Sequence, residues 1–197
     1  MENLRKNNME PYYITNIDKL YETLGNLIAE NSTVSSGGSQ TLYETGILEF
    51  FRKGDYNFLD RYTPGLTPDQ TLEIQRKAFF ADTYVTSVNA ITEDGELFNV
   101  DGNGNRVAAL TYGPTQVVVI VGHNKLVKNL DEAFERNRGV SGPTNAKRLN
   151  KKTPCVQTGY CMECESPDRI CNTYVVTKRQ NIPNRIKVII LNKSFGY

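Results

Sequence analysis

The chain of 197 residues has a single histidine, His123, and no cysteine outside one short window. It also has almost no net charge, with 23 Lys and Arg against 22 Asp and Glu leaving +1. Each scarcity excludes something. Any Ser-His or Cys-His catalytic pair has to run through His123, and a lone histidine is more often a hydrogen-bonded bystander than a catalyst. A near-neutral chain gives no electrostatic reason to expect nucleic acid or an anionic membrane as partner. No apolar run approaches the roughly 20 residues of a membrane span. The opening MENLRKNNMEPYY has no apolar core segment and does not read as a secretory signal. The expected compartment is therefore the cytoplasm, where thiols stay reduced.

Hydrophobic content of 39% and charged content of 23% suit one globular domain with a real core. The most informative stretch runs from Tyr84 to Lys125. Thr83–Ile91 is β-branched and aromatic, and Leu97–Val100 resumes after Glu93-Asp94-Gly95-Glu96. Asp-Gly between two such runs predicts a hairpin with both central residues at positive φ. Asp101-Gly102-Asn103-Gly104-Asn105 turns the chain again. Val117–Val121 is an unbroken apolar run, the pattern of a strand covered on both faces. The two polar turns bring Glu93, Asp94, Asp101, Asn103, Asn105 and Arg106 toward strand ends, where open α/β sheets bind ligands. The plainer explanation is that turns need Gly, Asn and Asp whatever they do.

Tyr12–Ile14 reads as a first strand. Asn16 or Asp18 can cap a helix whose face carries Leu20, Leu24, Leu27 and Ile28. Thr33–Ser36 is a short strand entering Gly37-Gly38-Ser39-Gln40-Thr41, with a helix beyond it presenting Tyr43, Ile47, Phe50 and Phe51. Glycines let backbone approach a ligand, and free N–H groups at a helix start favour an anion, which makes Gly37, Gly38, Ser39 and Thr41 binding candidates. Ser39 is equally an ordinary N-cap. Asn57–Asp60 reads as a strand, and Thr67-Pro68-Asp69-Gln70 as a capping box opening a helix to about Phe80. Asn129 with Glu132 caps another helix, which Gly139 should stop. Pro143–Lys152 reads as a basic, solvated face. Tyr174–Val176 and Ile186–Leu191 are late strands. Strands alternating with amphipathic helices predict an α/β fold with a largely parallel sheet.

The four cysteines are spaced Cys155-x5-Cys161-x2-Cys164-x6-Cys171. A reducing compartment argues against two structural disulfides. Four thiolates suit a tetrahedral zinc or an iron–sulfur cluster, and ligand softness does not separate the two. The spacing is neither a zinc ribbon nor a standard ferredoxin run. Buried free thiols acting as small hydrophobes are the bland alternative.

GGSQTLYETGIL, NAITEDGELFNVDGNGNRVAAL, VVVIVGHNKLVKNLDEA, NAKRLNKKTPC and TGYCMECESPDRICN resemble, in that order, the LUD-domain family of lactate-utilization proteins, formerly a domain of unknown function. The resemblance spans Val34 to Tyr197 and is strongest to short stand-alone members with the cysteine segment inside the domain. It implies one LUD-like domain over residues 1–197, with the cysteine segment at 155–171. The implied fold is a three-layer α/β/α sandwich like ribose-5-phosphate isomerase, glucosamine-6-phosphate deaminase and CoA transferases. Ser36 departs from the family, standing where many members carry an aromatic, and the N-terminal helix is shortened. The implied role is in oxidising lactate to pyruvate within a multi-protein system.

Three functions compete. The first is a redox-linked component of lactate or 2-hydroxy-acid metabolism, with an iron–sulfur cluster at the cysteines, a small anionic metabolite at the Gly-rich turn, and other redox proteins as partners. The second is an isomerase or transferase, with Glu93, Asp94 or Asp101 as base and Lys125 as electrostatic stabiliser. The third is a non-catalytic binding protein held together by zinc.

Overall fold

A computed structural model covers residues 1–197. In chain order the elements are α1 (Glu2–Lys6), β1 (Glu10–Ile14), α2 (Ile17–Leu27), β2 (Thr33–Ser36), α3 (Gln40–Glu44), α4 (Ile47–Lys53), β3 (Asn57–Leu59), α5 (Pro68–Lys77), β4 (Thr83–Thr86), β5 (Ala90–Thr92), β6 (Leu97–Asp101) and α6 (Asn105–Thr111). There follow β7 (Gln116–Gly122), β8 (Leu126–Val127), α7 (Leu130–Arg136), α8 (Gly142–Arg148), α9 (Pro154–Thr158), β9 (Thr173–Thr177) and β10 (Ile186–Leu191). Six strands form a sheet in the order β1-β10-β7-β4-β2-β3, and every pairing in it is parallel. A second sheet of four strands, β8-β5-β6-β9, mixes parallel and antiparallel pairs.

The apolar run of β7 explains the layering. Successive side chains of a strand point to opposite faces. Val117, Val119 and Val121 accordingly join one core with Leu4, Met9, Leu97 and Leu110. Val118 and Ile120 join the other, with Leu20, Leu24, Leu42 and Phe51. Beside it, β10 splits in the same way between Val188 and Ile189. Each such side chain, fully buried, contributes about 1.5–3 kcal/mol. The result is an α/β fold with helices on both faces of a parallel sheet, as the sequence predicts. A third, small core of Ala90, Phe98 and Ala133 holds α7 against the second sheet.

Four local expectations are corrected. The run Thr83–Ile91 is not one strand: β4 ends at Thr86 in the large sheet and β5 begins at Ala90 in the small one. At the break, the Ser87 and Val88 carbonyls accept from the side chains of Arg106 and Lys125 instead of from a neighbouring strand. Buried carbonyls must find donors, and two buried cations supply them. The β5–β6 hairpin does form, pairing Ile91 with Leu97. Only Gly95 in its turn has positive φ, at 77°, which makes a longer turn than the two-residue type expected of Asp-Gly. The helix after Gly37-Gly38 breaks at Gly46 (φ 70°) into α3 and α4, and Tyr43 points into solvent. Gly139 does not stop α7 either. Residues Asn137–Ser141 form a wide π-type turn that carries the chain into α8.

Capping signals were legible from the residues. Asn16 accepts from Lys19 N–H, and Thr67 and Gln70 bond each other's backbone in a complete capping box. Less obvious is how α6 is held. Asp101 Oδ2 accepts from the N–H groups of Arg106 and Val107 at its start. Buried Arg185 donates to the carbonyls of Ala109 and Leu110 at its end. Charge of the favourable sign thus meets the free backbone groups at both termini.

Candidate functional site

Four neighbouring strands of the large sheet deliver their following loops to one edge: β10, β7, β4 and β2. Because all are parallel, this is the carboxyl edge, where α/β sheets carry their sites. The turn after β7 buries Lys125, which is 4% exposed. Its Nζ donates to Thr41 Oγ1 at 2.9 Å, Ser87 Oγ at 3.2 Å and the Val88 carbonyl at 3.2 Å. No carboxylate pairs with it. Burial, then the nearby Arg136 and Arg106 charges, lower its pKa from the ordinary 10.5 to about 7, with only Glu44 opposing them. A buried amine near neutrality can give or take a proton at physiological pH.

The segment after β10 closes over this amine. Thr41 Oγ1 donates to the Phe195 carbonyl at 3.1 Å, and Asn124 Nδ2 to that of Gly196 at 3.0 Å. Gly196 has φ of 62°, and a Cβ there would lie 2.5 Å from Thr41 Oγ1 and 3.3 Å from Lys125 Nζ. Both conformation and space demand glycine.

Arg106 was expected to face a ligand, and its guanidinium is instead consumed by the protein. It donates to the Ser87 and Val100 carbonyls and to the side-chain oxygens of Asn99 and Asn89. With burial of the whole group, that makes Arg106 the scaffold of the β4–β5 break. Asp101 turns its carboxylate onto the start of α6, and Asn103 is exposed at the turn. Glu93 and Asp94 are exposed and lie apart from the lysine, because their turn packs on α1. Asn3 donates to the Glu93 carbonyl and Asn7 to that of Asp94. None of the three expected carboxylate bases hydrogen-bonds to Lys125. Ser39 caps α3 through Leu42 N–H, and the Gly37 N–H donates to the Val85 carbonyl. His123 is exposed, its ring 3.3 Å from Ser194 Oγ. Residue types did not flag Ser87; only the bend of the chain after β4 sets it beside Lys125.

The cysteines form a second centre. All four are half-buried and line one recess with Asn137, Pro143, Met162 and Ile170. They are not buried hydrophobes. Nor do three of them close on one point as tightly as a single ion requires. Thr153 Oγ1 lies 3.2 Å from Cys155 Sγ, and Glu163, at positive φ (51°), donates its N–H to Cys161 Sγ at 3.4 Å. Arg169, which sequence reasoning missed, donates to the carbonyls of Cys171 and Cys164, each at 3.0 Å. Cys171 holds this guanidinium more firmly protonated. The loop joins the rest of the fold through Asn172, whose N–H and side chain bond the Asp101 and Gly102 carbonyls.

A parallel sheet with helices on both faces and its loops gathered on the carboxyl edge defines an α/β protein. The family model for the LUD domain matches residues 1–191, and the chain belongs to that family of lactate-utilization-like proteins. A DUF162-family protein from Deinococcus radiodurans has a similar structure, with TM-score 0.51 at 13% identity over 97% of this chain and 93% of that one. Ribose-5-phosphate isomerase A from Methanocaldococcus jannaschii aligns at TM-score 0.37 and 17% identity, over 68% of this chain and 62% of its own. Comparison with curated proteins returned no match. No helix is long and apolar enough to cross a membrane.

Proposed function

We propose that this chain is a redox-linked component of lactate or 2-hydroxy-acid metabolism, in which Cys155, Cys161, Cys164 and Cys171 hold an iron–sulfur cluster. The observation that carries the reading is the gathering of all four thiols around one recess. Four thiolates are the donor set that an iron–sulfur cluster takes, and a structural zinc is the alternative occupant. Bound there, the cluster would supply one-electron transfer, with other redox proteins as its partners. The chain's own residues would do the rest. Arg169 offsets thiolate charge, the Glu163 N–H stabilises the Cys161 sulfur, and Pro143, Met162 and Ile170 limit water. The metabolite is a small anion held at the strand ends beside Gly38, whose N–H makes no backbone hydrogen bond.

Anaerobic purification with iron, sulfide and zinc analysis tests this. Stoichiometric iron and sulfide are expected, and Cys164→Ser should lose most of both along with stability, since metal binding is coupled to folding. Full metal content in all four single serine variants would refute thiol ligation, and zinc without sulfide would favour a structural site.

A second reading draws on Lys125. A buried amine of pKa about 7 beside two hydroxyls is suited to acid–base chemistry of isomerase or transferase type. In that reading the lysine itself, and not Glu93, Asp94 or Asp101, is the proton carrier.

A further inference from the structure

Between the carboxyl end of β2 and the last turn of α5 lies a narrow surface crevice. It is lined by Ser36, Arg61, Tyr84 and Asn105, with Ile74 and Ala78 on its apolar side. The lining contains one cation and no acid. Ser36 is 3% exposed, and its Oγ has no hydrogen-bond partner. A hydroxyl left unpaired in the interior costs about 1–3 kcal/mol, so its presence calls for a reason.

The groups around it are equally unengaged. Arg61 leans over the Tyr62 ring, 5.5 Å from its centroid, and forms no ion pair. Every other arginine of the strand-end region, Arg106 and Arg136 included, is bound to protein carbonyls. Tyr84 is 2% exposed and its ring is core, yet its hydroxyl reaches the glycine turn, where a Cβ on Gly37 would lie 3.0 Å from it. A Cβ on Gly38 would come no nearer than 3.6 Å to the Arg61 Nη1 and Tyr62 Oη. Gly38 thus borders Arg61 and Tyr62, and its N–H has no backbone partner. A guanidinium and two hydroxyls converge here, and the protein supplies no carboxylate to match them.

We infer that this cleft is the oxyanion subsite, with Arg61 and Ser36 receiving the carboxylate of the small metabolite. The inference rests on the reading that the glycine turn binds an anion; it does not depend on the cluster. A carboxylate has the planar geometry to take two parallel N–H bonds from a guanidinium and a third from a hydroxyl. Ile74 and Ala78 form the apolar flank of the crevice, beside the position of the carboxylate. Arg61 lies outside every motif that points to a site in the sequence. It is placed because the loop after β3, like those after β2 and β4, opens on the carboxyl edge.

Calorimetric titration of the full chain with L-lactate and, separately, inorganic phosphate at constant ionic strength tests the assignment, with iron measured in each preparation. L-lactate should bind saturably. Arg61→Gln should weaken it about tenfold or more, the loss of a charge-assisted hydrogen bond. Arg76→Gln, on the exposed side of α5, should bind as wild type. Ser36→Ala carries a signature that a structural role would not produce: it should raise the melting temperature, because the unpaired hydroxyl is gone, while lowering affinity. Saturable phosphate binding sensitive to Arg61 would support the oxyanion subsite with phosphate as its source and overturn the carboxylate assignment. Unchanged affinity in both Arg61→Gln and Ser36→Ala, or no saturable binding of either anion, overturns the subsite. Iron content reports on the cluster independently, so the two readings fail separately.

Discussion

Lys125 makes the stability of this protein depend on pH in an unusual direction. The folded state holds the amine neutral above about pH 7, whereas the unfolded chain keeps it protonated up to about 10.5. Between those values unfolding takes up a proton, so raising the pH favours the fold. Below about pH 7 the amine is charged in both states, and the folded state bears the full cost of a buried ammonium. Integrating the two titrations from pH 7 to about 9.5 gives a gain of about 3 kcal/mol from this residue alone. Urea unfolding at those two pH values should show it in the wild type. Lys125→Met, which keeps the length and removes the amine, should abolish the gain. It should also cost about 1–3 kcal/mol at the higher pH, because the Val88 carbonyl loses a donor. Parallel pH dependences in wild type and Lys125→Met would refute the neutral buried amine, and the acid–base reading with it.

Arg106→Ala should severely destabilise the chain, by about 3–5 kcal/mol, since it removes a buried donor from the Ser87 and Val100 carbonyls and from the side-chain oxygens of Asn99 and Asn89; thermal unfolding measures it. Gly37→Ala should cost about 1–3 kcal/mol, its Cβ falling 2.7 Å from Thr86 Oγ1, while Gly38→Ala, with no contact under 3.6 Å, should be nearly neutral. Arg169→Gln should weaken retention of iron by about 10- to 100-fold under chelator challenge, with the four thiols intact, because the guanidinium ties the Cys164 and Cys171 carbonyls together.

Much of the architecture follows from local pattern. The unbroken Val117–Val121 run predicts a strand buried on both faces. The Thr67–Gln70 capping box and the Asn16 cap set helix starts that the structure reproduces. These are short-range effects: side-chain period, turn sterics and the chemistry of the first free N–H groups act within a few residues. The clustering of four cysteines is equally legible, because their spacing alone brings them near one another.

What only the tertiary structure decided is the use made of each polar residue. Asp101, Arg106, Glu93 and Asp94 have the composition of an active site, yet the first two hold α6 and the β4–β5 break, and the other two meet the N-terminal helix. Lys125 and Ser87 become a pair across 38 residues because β7 and β4 lie side by side. Arg61, Ser36 and Tyr84 converge for the same reason, at the ends of neighbouring parallel strands. A charged or polar side chain acts according to its surroundings and the partners already satisfied, and both are fixed by residues far away in the chain.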